Sequence, residues 1–128
     1  MVIAESGNNN YITQITDGKS GAGIISDVSE AKGGGGGNIG PHELLCAGLA
    51  SCLNITARMV LDRKELSYDK VITKVDIDTS SDEETVFKYH VEIVGDIDPE
   101  VKESIIEKLT RSPVKKTLQK NTRVEWMD

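Results

Sequence analysis

Gly40-Pro41-His42-Glu43-Leu44-Leu45-Cys46-Ala47-Gly48-Leu49-Ala50-Ser51-Cys52-Leu53-Asn54-Ile55-Thr56-Ala57-Arg58-Met59 is the stretch that decides how this chain folds. No charged side chain interrupts Leu44 to Ala57, and apart from two thiols only Ser51, Asn54 and Thr56 are polar there. The run predicts a helix that is apolar nearly all the way round. Such a helix belongs at the centre of a fold or in a membrane. A membrane span needs about 20 apolar residues. This run is shorter and carries Asn54, so the expectation is a buried central helix. Pro41 suits the first helical position, where its missing N–H costs nothing. The charged residues Arg58, Asp62, Arg63 and Lys64 mark where the helix emerges into water.

The two cysteines of the chain, Cys46 and Cys52, both fall on this helix. Six residues apart, they stand about 9 Å from one another along the axis and about 240° around it. A disulfide tolerates Cα separations up to roughly 7 Å, so within one intact helix they cannot pair. The chain of 128 residues reads as one domain, 1–128, long enough for a core. Its net charge of −6 and pI near 4.9 argue against nucleic acid or an anionic membrane as partner. Met1 to Ser6 is too short for the apolar region of a secretory signal. The expected compartment is the cytoplasm, where thiols stay reduced.

Upstream of the helix the pattern is β. Val2-Ile3-Ala4, turn-rich Gly7 to Asn10 and Tyr11 to Thr16 predict a hairpin, and Asp17 to Gly21 a second turn before a third strand over 22–26. Residues 27–40 are a loop containing Gly33 to Gly37. No Gly-Lys-Ser/Thr follows these glycines to complete a phosphate loop, so they read as a mobile linker, and nothing calls for a cofactor. Downstream, Lys70 to Asp78 places Val71, Val75 and Ile77 on one face. Phe87, Tyr89, Val91 and Ile93 share a face opposite Lys88, His90 and Glu92. This alternation predicts an antiparallel pair with one dry side. Asp98-Pro99 caps an amphipathic helix carrying Val101, Ile105 and Leu109, and Ser112-Pro113 starts a short helix with Val114 and Leu118. Thr122 to Met127 closes as a strand. The order βββ-α-ββ-α-α-β is an α+β fold. One sheet cannot wrap a helix that is apolar on all sides, so a symmetric homodimer burying two such helices is expected.

Three landmarks carry a family resemblance. They are Gly33–Glu43 running into Leu44-Leu45-Cys46-Ala47-Gly48-Leu49-Ala50-Ser51-Cys52, the strand over 87–94 followed by Gly95-Asp96, and Ser112-Pro113-Val114-Lys115-Lys116-Thr117-Leu118. The chain resembles the OsmC/Ohr family of organic hydroperoxide reductases from about Asp17 onward. The resemblance implies an intertwined α+β homodimer with two central helices between antiparallel sheets. It also implies a two-thiol reduction of small organic hydroperoxides. The peroxidatic position falls on Cys52. The resolving-cysteine position before the last Pro holds Ser112, which cannot form a disulfide. The family's Gly-Arg-x-Gly turn corresponds to Gly18-Lys19-Ser20-Gly21, with Lys19 for arginine. The glutamate position holds His42, with Glu43 one residue later. Catalysis with one cysteine would need an external thiol reductant.

Physical chemistry bears on these departures. Cys52 sits well inside the helix, where the macrodipole has faded. Burial among apolar groups is expected to raise its pKa, so a cation such as Lys19 would have to supply the thiolate. Lysine cannot grip bidentately as arginine does. His42 lies ten residues before Cys52, roughly 15 Å along one helix, and approaches it only from a second chain or through a bend. Ser112 before Pro113 is also a good N-cap in its own right, and Cys46 reads as a small hydrophobe. Two other readings stay open. One is a non-catalytic dimer that kept the fold and binds a small hydrophobic ligand. The other is a metal site at His42 and Cys46, which share a helix face at i, i+4 but lack a third ligand in the sequence.

Overall fold

A computed structural model describes residues 1–128. The chain forms two compact units, Met1–Leu45 and Cys46–Asp128. In the first, strands β1 (Val2–Ser6), β2 (Thr13–Asp17) and β3 (Gly23–Ser26) form an antiparallel sheet in the order β1-β2-β3. Ile3 pairs with Thr16 and Ile15 with Ile24. The turn between β2 and β3 is held by the Asp17 carboxylate, which accepts from the Lys19 and Ser20 N–H groups and from the Ser20 hydroxyl. Val2, Ile3, Ile24 and Ile25 all stay exposed. A three-stranded sheet without an apolar cover is marginal by itself.

The glycine stretch is not the mobile linker its composition suggests. Asp27 is 2% exposed, and its carboxylate accepts from the Val28 and Gly35 N–H groups at 2.8 Å each. Gly34 N–H donates to Ser29 O at 3.0 Å and Gly36 N–H to Val28 O at 3.2 Å. Gly33 and Gly36 take φ of 92° and 69°, the left-handed region that glycine enters without strain. A side chain at Gly34 would run into the Val28 carbonyl. The glycines let the backbone close round one buried carboxylate.

The second unit is built on helix α1, Pro41–Arg63, 23 residues. It continues past Met59 to Arg63, so by length and composition it suffices to cross a membrane. The expectation that the apolar run is too short is thereby corrected. Its place is nevertheless in a core. Leu49, Leu53, Ala57 and Leu61 fall at i, i+4 spacing and are at most 2% exposed. Two side chains tie the helix to strand β4 (Lys70–Asp78). Asn54 Nδ2 donates to Val71 O at 2.9 Å, and Thr73 Oγ1 donates to Ala50 O at 3.0 Å. The polar Asn54 is therefore a fastening to the sheet.

Strand β5 (Val86–Val94) pairs antiparallel with β4. Its register sets Val71 against Ile93, Thr73 against Val91 and Ile77 against Phe87. Val91 and Ile93 are buried and His90 faces solvent, as the alternation predicts, although Tyr89 is 38% exposed. Helix α2 (Pro99–Glu107) starts at Asp98, whose carboxylate accepts from Glu100 N–H at 3.0 Å. Its Ile105 joins Leu61 and Ile93 in one cluster. A 3₁₀ turn, Lys108–Arg111, follows and buries Leu109 against Leu53 and Val91. Helix α3 spans Pro113–Leu118.

The strand expected over 122–127 does not form, and the residues after Leu118 are irregular. Val124 and Trp126 are 97% and 92% exposed. The segment has strand-forming residues, but a strand exists only against a partner that takes its hydrogen bonds. The single chain gives it none.

Leu53 is the test of this core. Leu53→Ala removes a side chain that is 0% exposed and is expected to lower unfolding free energy by about 2–5 kcal/mol. Chemical denaturation of the two proteins measures the difference.

Candidate functional site: a thiol held by a serine hydroxyl

The column Leu49, Leu53, Ala57, Leu61 fixes the rotation of α1. Cys52 then lies at the margin of the buried face, half-buried. The chain after α2 returns across this margin. Burial of Leu109 and the break before Pro113 set Ser112 down against the thiol. Ser112 Oγ donates to Cys52 Sγ at 2.9 Å, and Ser112 is 0% exposed.

Ser112 is also the N-cap of α3, accepting from Lys115 N–H at 3.4 Å. The two roles are compatible in one way only. A hydroxyl has one proton and two lone pairs. The oxygen takes the Lys115 amide, and the proton goes to sulfur. The cap thus aims the hydroxyl hydrogen at Cys52.

Burial works to raise the Cys52 pKa, but the Ser112 hydroxyl, the Val114 backbone N–H and the Thr56 hydroxyl outweigh it, and the thiol is held below its ordinary value. The expected upward shift is therefore corrected. Hydrogen bonds to the thiolate win over desolvation, and those bonds come from neutral groups, not from a cation. Of the three donors, Thr56 is the weakest claimant. Its Oγ1 also donates to the Cys52 carbonyl at 2.7 Å, and one proton cannot serve both acceptors.

Of the site residues read from sequence, Cys52 and Ser112 are brought into contact. Lys19, His42 and Glu43 belong to the other compact unit. Lys19 is exposed in the β2–β3 turn. His42 and Glu43 are exposed in the first turn of α1 and line a cleft with Asp27 and Lys32. No cluster of three or more His, Cys, Asp or Glu side chains forms, so the pair His42 and Cys46 acquires no third ligand. Cys46 and Cys52 are unbridged. Sequence reasoning missed Val114 and Thr56. Thr56 was findable, because i+4 on a helix places it next to Cys52. Val114 was not, because its donor is a backbone group.

The titration of Cys52 tests this arrangement. A thiol whose pKa falls on folding is deprotonated in the folded chain while still protonated in the unfolded one. The Cys52 contribution to stability should rise with pH through the window between the lowered folded value and the ordinary thiol value, and be absent below that window. Ser112→Ala should move the Cys52 titration upward, read by thiolate ultraviolet absorbance. Cys52→Ser should flatten the stability rise across that window.

The OsmC-like protein family model matches residues 33–127, a span that crosses the boundary between the two units. Solved structures agree. An OsmC-like protein from Mycoplasma pneumoniae superposes with a TM-score of 0.74 at 20% identity, covering 93% of this chain and 86% of that one. An organic hydroperoxide resistance protein OsmC from Legionella pneumophila gives 0.65 at 21%, covering 93% and 88%. The organic hydroperoxide resistance protein OhrB of Bacillus subtilis gives 0.65 at 19%, covering 94% and 90%. None of the curated proteins matches this chain in sequence at a significant level. These structural likenesses fix the α+β fold, and with three quarters of its length matched by the family model, the chain belongs to the OsmC-like protein family.

Proposed function

We propose that this protein is a one-cysteine peroxidase for small organic hydroperoxides, with Cys52 as the peroxidatic thiol and an external thiol as reductant. The carrying observation is the 2.9 Å hydrogen bond from Ser112 Oγ to Cys52 Sγ. It supports this reading because the two residues in contact are the ones that the family resemblance assigns to the peroxidatic and resolving positions. Relatives of the same fold are organic hydroperoxide resistance proteins. The thiolate attacks the terminal peroxide oxygen. An S–O bond forms, the O–O bond breaks, and the alkoxide takes a proton to leave as alcohol. Sulfur is oxidised by two electrons to sulfenic acid. Ser112 cannot bond to it, so oxidation stops there until an outside thiol arrives. Lys19 and His42 occupy the positions of the groups that hold the peroxide in this reading, with Glu43 one residue beyond.

The reading includes a homodimer. Leu45, Ile55 and Met59 are 50%, 41% and 53% exposed. Ile55 and Met59 share the side of α1 away from the Leu49–Leu61 column, and Leu45 extends that column by one turn toward the start of the helix. The apolar sheet residues of the first unit and the unpaired segment around Trp126 are exposed as well. A second copy of the chain supplies cover for all three. Sedimentation at micromolar concentration should show a dimer, and a stable folded monomer would refute it.

Mass spectrometry after one equivalent of an organic hydroperoxide should find one added oxygen on Cys52 and, with a small thiol present, a mixed disulfide there. Ser112→Cys should convert this to a disulfide between Cys52 and the introduced thiol, because the side chains already touch. Lys19→Arg in the same protein should raise hydroperoxide consumption with a dithiol reductant. If neither the oxygen adduct nor the disulfide forms, the non-catalytic reading becomes the better one.

A further inference from the structure

Four cations gather beside the thiol site in a protein of net charge −6. Arg63 and Lys64 at the end of α1, and Lys108 and Arg111 of the 3₁₀ turn, line one cleft of about 400 Å³. None is neutralised by a carboxylate. The single ion pair of the chain joins Arg123 to Glu125. The Lys64 amine and charge beside Lys108, with Arg111 adding repulsion, hold the Lys108 ammonium below its ordinary pKa. Like charges crowded without a counter-charge are an unfavourable arrangement that a bound anion relieves. None of the 21 acidic side chains of the chain lines this cleft, although Asp62 and Glu107 adjoin it in sequence.

The cleft adjoins Cys52. It shares Thr56, one helical turn from the thiol and hydrogen-bonded to the Cys52 carbonyl. It also shares Pro113, covalently next to Ser112. Val60 supplies an apolar wall to the cleft. Thr56 and Pro113 form the end of the cleft nearest Cys52 and Ser112 in the chain, so an occupant anchored among the cations has its other end toward the thiol.

Resting on the peroxidase reading, we propose that this cleft receives the carboxylate end of a small acidic thiol, the external reductant of the Cys52 sulfenic acid. The bound thiolate attacks the sulfenic sulfur. An S–S bond forms, the S–O bond breaks, and the hydroxide leaves as water after taking a proton. A second molecule of the same thiol then attacks the mixed disulfide, leaving as the oxidised disulfide and returning Cys52 as thiolate. The built-in resolving thiol is replaced by a binding site for an outside one.

The first experiment does not depend on peroxide chemistry. Cys52 is alkylated with iodoacetate and with iodoacetamide, and the rates are read on its own peptide by mass spectrometry. The ratio cancels any change in thiolate population. It should favour the anionic reagent at low salt and fall about tenfold in the double variant Lys108→Gln, Arg111→Gln. Lys88→Glu, on the exposed face of β5, should leave the ratio unchanged. Succinate should protect wild-type Cys52 from iodoacetate where dimethyl succinate does not, which tests the cleft even if the double variant fails to fold. Absence of both the preference and the protection overturns the cleft.

The second experiment reduces peroxide-oxidised protein with a carboxylated thiol and with a neutral thiol of matched pKa. Faster reduction by the acidic thiol, lost in the double variant, supports the assignment. A carboxylate preference seen only when hydroperoxides are compared assigns the cleft to the oxidant and overturns the proposal. An intact alkylation ratio without any sulfenic acid overturns the peroxidase reading and the reductant assignment together. A lost ratio with sulfenic acid still forming overturns the cleft alone.

Discussion

The structure depends on covering a helix that has no polar side. An ordinary surface helix buries a stripe and wets the rest. Helix α1 has apolar residues on every side from Leu44 to Ala57. The Leu49–Leu61 column is covered by β4, β5, α2 and the 3₁₀ turn. Leu45, Ile55 and Met59 are not covered within the chain. Each fully buried leucine contributes on the order of 1.5–3 kcal/mol relative to exposure. The same term acts against leaving the exposed apolar side chains Ile55 and Met59 in water.

The Cys52 sulfur sits at the margin of the buried face. That margin is apolar enough to exclude some water, yet close enough to the chain's edge for a hydroxyl and a backbone N–H to reach in. Desolvation alone would make Cys52 an inert thiol. Hydrogen-bond donors, foremost the Ser112 hydroxyl and the Val114 backbone N–H, reverse the sign. The device is economical in residues, because Ser112 is needed anyway to cap α3 and Pro113 to begin it. One residue therefore couples the start of a helix to the protonation of a thiol sixty positions earlier in the chain.

Charge placement follows a different logic from packing. The acidic residues of this chain are spread over exposed turns and helix starts, as at Asp17, Asp78 and Asp98, where they accept backbone N–H bonds. Asp27 is the exception, buried and fully partnered in the glycine loop. The cations Arg63, Lys64, Lys108 and Arg111 converge because α1 ends where the 3₁₀ turn begins to pass it.

The sequence by itself determined what periodicity and local chemistry can carry. The all-apolar helix, the β4–β5 alternation, the Asp98 and Ser112 caps and the family motifs were legible because each depends on residues near one another in the chain. The single positions Cys52 and Ser112 were legible as a pair only through the resemblance. What tertiary structure alone decided depends on groups far apart in sequence. The protonation of Cys52 is set by donors from α3 and a hydroxyl one turn away, so burial counted from sequence gives the wrong sign. The glycine run is ordered because the Asp27 carboxylate takes the Gly35 N–H and the carbonyls of residues 28–30 take those of Gly33, Gly34 and Gly36. The 122–127 segment carries strand residues, yet strand is a relation between two backbones and the single chain offers no second one. Composition states which residues are able to act, and only packing states what each of them meets.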